Sequence, residues 1–405
     1  MAALAVAAVL YLPLAWGCRP RLRQAPFRSL LPLASITRLE GSLEENPVKN
    51  PSGFYRSRLA VFSAAGAAAC SGAAGTVEVY LPGSLVEAYY PGKAYTAAGA
   101  PLLAETGARL SLTGLFLQVP GSGGRPAFYA EAAESRGWAP GAAGRLAHVR
   151  ACFRLLFKRL MYSWGASGGF VLALLSGARE YLEGPLASAF VAAGLSHILA
   201  LSGFHIGLFS SFTRSLSRLL PARRLGQGAE LFSVLAFIWF SGLSPSLLRA
   251  LLCAALAALC AALHLRRPPL LILLSASFLL HAALFPSHVD QAAFVLSYGA
   301  LGGIALLSFF LRRRAVRLFP FFLASPLADS AAAQLMTAPV SALLFSRVAW
   351  AGTFAALAVS PLVSLFMYAA LAGVILSLLF PFLSPLVRAM IQGLYALIKL
   401  LVLFF

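Results

Sequence analysis

From residue 163 onward the chain reads as a succession of apolar runs separated by short breaks that carry arginine, glycine or proline. Candidate spans fall at Ser163–Leu175, Leu186–Leu220, Leu231–Leu243, Leu247–Leu263, Leu270–Phe285, Ala292–Leu311, Leu318–Ala333, Met336–Val348, Phe354–Leu379 and Leu383–Phe405. Crossing a bilayer takes about 20 residues of apolar helix, and several of these runs are shorter. Short or Gly/Pro-interrupted segments in a membrane bundle predict broken or re-entrant helices around a cavity, since irregular backbone facing lipid would leave its polar groups unpaired. Between Leu33 and Pro140 the pattern changes to period two, as in Ser35–Leu43, Thr76–Leu81 and Arg109–Thr113. Such alternation places one face on a core and the other in water, so a small antiparallel sheet or barrel is expected.

Asn50-Pro51-Ser52-Gly53, Pro82-Gly83 and Pro91-Gly92 supply the turns between the strands. A five-stranded barrel of the oligonucleotide-binding type fits this size, and periodicity does not separate it from a small sandwich. Ala142 to Leu160 places Arg145, Arg150, Arg154 and Arg159 among apolar neighbours, the pattern of a basic amphipathic helix lying along a membrane surface. Met1 to Trp16 is apolar and short for a full crossing. The expected organisation is a transmembrane anchor over 1–17, a soluble β domain over 33–140, a surface helix over 142–160 and a membrane domain over 163–405. In class terms this is an α-helical polytopic membrane bundle with an N-terminal all-β soluble domain.

Composition agrees with the pattern. Hydrophobic residues make up 60% of the 405, mean hydropathy is +0.82, and 11% are charged, against about 25% in soluble domains. A water-soluble fold would have too little polar surface to cover itself. The formal net charge of +19 is read first as span orientation, because lysines and arginines in short loops hold a span's end in the cytoplasm. The clusters at 19–23, 145–159, 214–224, 266–267 and 312–317 all sit at the ends of apolar runs. The five cysteines show no metal-ligand spacing, and neither a metal nor a cofactor is expected.

Three polar islands interrupt the apolar half. The first, Ala193 to Gly207, contains Ser196, His197, Ser202, Gly203, Phe204 and His205. Histidines and serines are costly in hydrocarbon and so should face protein or water. On one continuous helix His197 and His205 would lie about 80° apart in azimuth and about 12 Å apart along the axis, able to line one path but not to chelate one metal. In the second, Ser241 to Ala250, Pro245 breaks or restarts a helix next to Ser244 and Ser246, leaving Arg249 one turn inside. A cation there requires a partner, an aqueous cavity or an anionic passenger. The third, Phe285 to Tyr298, carries Asp290, a natural N-cap for the helix that follows; its pairing with Arg249 is a hypothesis.

At these islands the sequence resembles the ComEC competence proteins. Their signature of the form Ser-His-x-Leu-Ala-x-Ser-Gly-x-His is similar to Ser196-His197-Ile198-Leu199-Ala200-Leu201-Ser202-Gly203-Phe204-His205. Gly242, Ser244-Pro245-Ser246 and Arg249-Ala250 resemble a second family element, and Pro286, Asp290 and Phe294-Val295-Leu296-Ser297 a third. Ser176-Gly177-Ala178-Arg179 is similar to the family's Gly-Asp-Arg element, with Ala178 in place of the Asp. Ala293 and Ala356 depart from the usual Gly and Asn, and the His-x-His-x-Asp-His cluster of the metallo-hydrolase domain found in many members does not occur.

The resemblance implies a ComEC-type competence transmembrane domain over 163–405 and a channel, without catalytic residues, that imports single-stranded DNA across the bacterial inner membrane during natural transformation. It implies an external oligonucleotide-binding-like domain, and single-stranded DNA, membrane lipid, a DNA receptor, a nuclease and a cytoplasmic ATPase motor as partners. The expected DNA pathway comprises Ser196, His197, Ser202, Gly203, Phe204, His205, Ser244, Pro245, Ser246, Arg249, Asp290 and Tyr298, with Arg179 at the mouth. Phosphates need scattered cations and bases need aromatic faces, and these residue types supply both. Two rival readings are a transporter of another anionic solute and an intramembrane hydrolase using Ser196 or Ser202 with His197 or His205. The second lacks an acid to orient the base within its segment.

Overall fold

The computed structural model describes residues 27–50, 52–66, 70–87, 103–118, 126–217, 223–265, 268–289, 291–345 and 352–405. The expected anchor over 1–17 lies outside them, as do Asp290 and the arginines at 19, 21 and 23. The chain forms two compact units: the described residues up to Leu172 together with Ala178–Tyr181, and Ala173–Gly177 together with the chain from Leu182 onward.

Seven strands build the first unit: β1 (Arg28–Ser29), β2 (Ile36–Leu43), β3 (Val48–Lys49), β4 (Tyr55–Gly66), β5 (Cys70–Leu81), β6 (Ala108–Gln118) and β7 (Pro126–Trp138). They run in the order β1-β5-β7-β6-β2-β4-β3, and the additional pairing of β5 with β4 closes β2, β4, β5, β7 and β6 into a barrel. The β5–β7 pair is parallel; the other pairs are antiparallel. Period-two alternation does what it predicts: Ile36, Leu39, Leu43, Leu59, Val77, Val79, Leu110, Leu112 and Phe128 fill the interior. The registers of β2–β4 and β6–β7 shift at Glu40/Gly41 and Thr113/Gly114, bulges of the kind that bend strands round a barrel. At Gly114 a Cβ would overlap the carbonyl oxygen of Tyr129, so only glycine fits that crossing.

Two helices of the first unit are α1 (Gly83–Val86) and α2 (Ala142–Ser163). On α2 the exposed positions include Leu146, Val149, Phe153 and Leu156, one stripe at helical spacing. The expected basic face is corrected at Arg154, which is buried with 3% of its side chain accessible. Its Nε donates to Glu105 at 2.9 Å. Lys158 reaches Glu105 at 3.1 Å and Glu180 at 2.9 Å. Buried charge persists only when paired, so a carboxylate at 105 turns these cations inward and leaves apolar side chains outside.

The second unit is helical. Following α3 (Ala166–Ser176), which spans the junction between the units, come α4 (Gly184–Ala192), α5 (Ser196–Leu199), α6 (Gly203–Ser217), α7 (Arg223–Ser241), α8 (Pro245–Ala262), α9 (Leu270–Leu284) and α10 (Pro286–Val289). The longer α11 (Ala292–Ala315), α12 (Phe321–Phe345), α13 (Gly352–Leu379) and α14 (Ser384–Phe404) complete it. Among the described residues, Pro245–Ala262, Ala292–Ala315, Gly352–Leu379 and Pro381–Phe404 are long and apolar enough to cross a membrane. Leu259, Phe309, Phe310, Leu378 and Leu400 project from these four with more than half their surface accessible, as lipid-facing side chains would.

Two expected boundaries are corrected. The run Leu186–Leu220 is divided among α4, α5 and α6: Gly194 turns left-handed at φ +71° between the first two, and Ala200 is extended between the last two. The runs Leu318–Ala333 and Met336–Val348 instead join in the single helix α12, which contains both Pro326 and Pro339. Helices α11 and α12 pack closely at Gly303, where a Cβ would overlap the carbonyl oxygen of Ala332 and lie 2.7 Å from the Cβ of Met336. Gly303→Ala should therefore destabilise the bundle by about 1–3 kcal/mol, the usual range for overpacking. Gly302→Ala, whose nearest neighbour is 3.8 Å away, should leave the melting temperature in lipid nanodiscs unchanged.

Candidate functional site

The first island starts where α5 stops. Ser196 and His197 lie exposed on α5, Ala200 to Ser202 form the break, and α6 restarts at Gly203. His197 and His205 therefore do not share a helix. His205 is fully buried; its Nδ1 is 3.3 Å from both the backbone N and the Oγ of Ser202. Its Nε2 is buried with no hydrogen-bond partner. Phe204, partly exposed, sets its ring edge-on to that of His205.

The second island is the junction of α7 and α8. Gly242 turns the chain with φ +100°, a left-handed conformation that glycine adopts without cost. Ser244 caps α8, its Oγ accepting from the Leu247 N–H at 3.3 Å, and Pro245 occupies the first turn, where its missing N–H does no harm. The same Oγ lies 3.5 Å from the carbonyl oxygen of Leu201, joining this junction to the first island. Ser246 is partly buried beside it. Ser244→Ala should cost about 1 kcal/mol of stability, the usual worth of an N-cap, seen as a lower melting temperature in nanodiscs.

Arg249 connects all three. It lies one turn inside α8, and its Nη1 donates to the carbonyl oxygen of Ser297 on α11. Its Nη2 is 3.4 Å from where a Cβ on Gly203 would stand, so the bare glycine at the start of α6 leaves room for the guanidinium. Its Nε is buried without a hydrogen-bond partner. The hypothesised partner Asp290 lies outside the described residues, and the carbonyl of Ser297 is the contact observed. Of the helices Arg249 touches, α6 begins at Gly203 itself and its own α8 one turn earlier, at Pro245, whereas α11 begins at Ala292, before the Ser297 that holds it. Helix N-termini carry free N–H groups and the positive end of the macrodipole, and a guanidinium adds a full positive charge, so the arrangement attracts anions.

Beyond Arg249 is a polar chain of which sequence reasoning assigned Tyr298 alone. Tyr298, buried on α11, has its hydroxyl 3.2 Å from Nδ1 of His281 on α9. The Nε2 of that ring is 3.0 Å from Nδ1 of His288 on α10. Cys253, one turn after Arg249, donates to Ser277 on α9 at 3.2 Å. A fully buried histidine inside the run Leu270–Phe285 was the available signal, since its cost in hydrocarbon requires a partner.

The structure thus gathers Ser202, Gly203, His205, Ser244, Arg249 and Tyr298, while Ser196 and His197 stand apart on α5 and Arg179 belongs to the first unit. Among the described residues no group of three or more His, Cys, Asp and Glu side chains could hold a metal ion. The family model described as Competence protein matches residues 174–404, more than half the chain. The chain belongs to the competence protein family. No curated protein and no solved structure matches it. Membership fits a membrane protein involved in DNA uptake, and the competence-family membrane domain is of the channel type rather than a known catalytic one.

Proposed function

We propose that this competence-family protein is a channel of the bacterial inner membrane that passes single-stranded DNA, after capture by the external β-barrel domain. The observation that carries this reading is Arg249, one turn into α8, held by the Ser297 carbonyl of α11 and lying against Gly203 at the start of α6. A polyanion crossing a membrane needs positive potential without sequence readout, and helix N-termini at a break supply it. Phe204, 38% accessible, provides an aromatic face nearby. The five closed strands of the barrel have the number and size of an oligonucleotide-binding fold, which supports its reading as the capture domain.

A hydrolase is less well supported. Ser202 and His205 are adjacent, but the far nitrogen of His205 has no orienting partner, as such a base requires. The test is import of labelled DNA by cells deleted for the gene and complemented with the full chain, with small phosphorylated solutes as competitors. Import that survives the deletion overturns the reading. Loss of solute uptake with DNA import intact would favour the anion transporter.

A further inference from the structure

His281 is buried where a histidine that only packs would bond a backbone carbonyl and keep one tautomer. Instead, both of its ring nitrogens face groups that can either donate or accept: the Tyr298 hydroxyl at 3.2 Å and the Nδ1 of His288 at 3.0 Å. The His288 ring is partly exposed and stacks on Phe285. A ring wired this way can reverse its hydrogen-bond polarity without moving. The elements packed against it on α9 contribute Arg249 and Cys253 from α8, His288 from α10 and Tyr298 from α11. The backbone carbonyl next to Tyr298, that of Ser297, is the one that holds Arg249.

We infer that His281 and His288 form a shared-proton site, and that its protonation is linked to the binding of a phosphodiester anion at Arg249. In the neutral pair, Nδ1–H of His288 donates to Nε2 of His281, and Nδ1–H of His281 donates to the Tyr298 oxygen. A proton arriving at the other nitrogen of His288 lets its Nδ1–H pass to Nε2 of His281. The added proton is then shared between the two rings across their 3.0 Å contact, with the Nδ1–H of His281 still donating to Tyr298. No electrons move, and one proton is gained. Two cations at such close range in low dielectric repel, so the pair holds one added proton and resists a second. The single charge gained stands on the far side of Tyr298 from the guanidinium, where an anion stabilises it. By reciprocity the proton strengthens anion binding by the same factor.

The linkage rests on the proposed DNA reading, but the shared proton can be tested without it. Full-length protein labelled with 15N-histidine is titrated in lipid bilayers, as wild type and as His281→Gln, His288→Gln and Tyr298→Phe. The expected result is that the His281 and His288 signals move together over one step, and that His281→Gln changes the titration of His288. Independent titration, with the His288 curve the same in both proteins, overturns the proposal.

Binding of single-stranded oligothymidylate to the same nanodiscs, at constant salt, tests the linkage. Affinity should fall by up to about tenfold per pH unit on raising pH in the wild type, the consequence of one linked proton. Most of this slope should vanish in His281→Gln, while any contribution from His197 and His205 persists. An equal slope in wild type and His281→Gln sinks the linkage and leaves the DNA reading standing. Failure of the oligonucleotide to bind at any pH counts against the DNA reading, and the titration alone then judges the shared proton.

Discussion

Arg249→Ala should sharply reduce DNA import while leaving the protein in the membrane and DNA bound at the cell surface. The guanidinium is held by the carbonyl of Ser297 and lies against Gly203, with its Nε unsatisfied, so it is ready to accept an anion. In the proposed pathway the partner is a passing phosphate, and truncating one member of such a desolvated charge pair costs about 2–5 kcal/mol. At about 1.4 kcal/mol per decade, import should drop by roughly thirty-fold to several-thousand-fold. Arg249→Lys keeps the charge but loses the fork that lets one nitrogen hold Ser297 while another faces Gly203, and should fall between. Uptake of labelled DNA into a protected compartment, normalised to membrane-inserted protein, measures both. Wild-type import by a well-inserted Arg249→Ala protein would remove the residue from the pathway.

Glu105→Ala should produce the largest loss of stability in the β unit. It would remove the carboxylate that Arg154 and Lys158 share, buried with 3% and 13% of their side chains accessible, leaving Glu180 beside Lys158, and removing one member of a buried ionic cluster costs about 3–5 kcal/mol. Hydrogen-exchange protection of the barrel strands in the full chain is the readout, and unchanged protection would refute the role. The cluster also dictates a pH dependence. Burial alone raises the Glu105 carboxyl, but Lys158 and Arg154 outweigh it and hold the group below its ordinary value of 4.5. Its stabilisation is therefore complete above pH 4.5 and is lost as the pH falls through the lowered value. Burial likewise opposes the charge on Lys158, but Glu105 and Glu180 more than compensate and raise it above 10.5. Its contribution is complete below 10.5 and is lost as the pH climbs past the raised value.

How much of this was legible depended on the scale of each signal. The apolar runs mark α8, α9, α11 and α13 closely, because each is bounded by proline, glycine or polar residues. The run Leu186–Leu220 hides two breaks, since hydropathy does not register the extended Ala200 or the local bond between Ser202 and His205 that competes with helix. The reverse error occurred at Gln334, which splits one helix into two apolar runs; Pro326 and Pro339 lie within the same helix, as a bundle tolerates. Strands β4 and β7 were harder to see than β2 because alanines at both inward and outward positions blur their alternation. Within the site, Ser202, His205, Ser244 and Arg249 stand out as polar residues in apolar surroundings. His281 did not, since one imidazole scarcely alters the average of a long apolar window and its partners lie on other helices.

Helices α6 and α9 have 15 residues each, about 22 Å of helix against a hydrocarbon layer of about 30 Å. If water fills the shortfall beside Arg249, the insulating septum around this point is thinner than the surrounding bilayer. The resting voltage then drops over that thin layer, at about 2.3 kcal/mol per unit charge per 100 mV. A strand threading it would hold fewer phosphates in the field at any instant, each in a proportionately steeper field, so the electrical work per nucleotide would stay that of one charge crossing the whole potential.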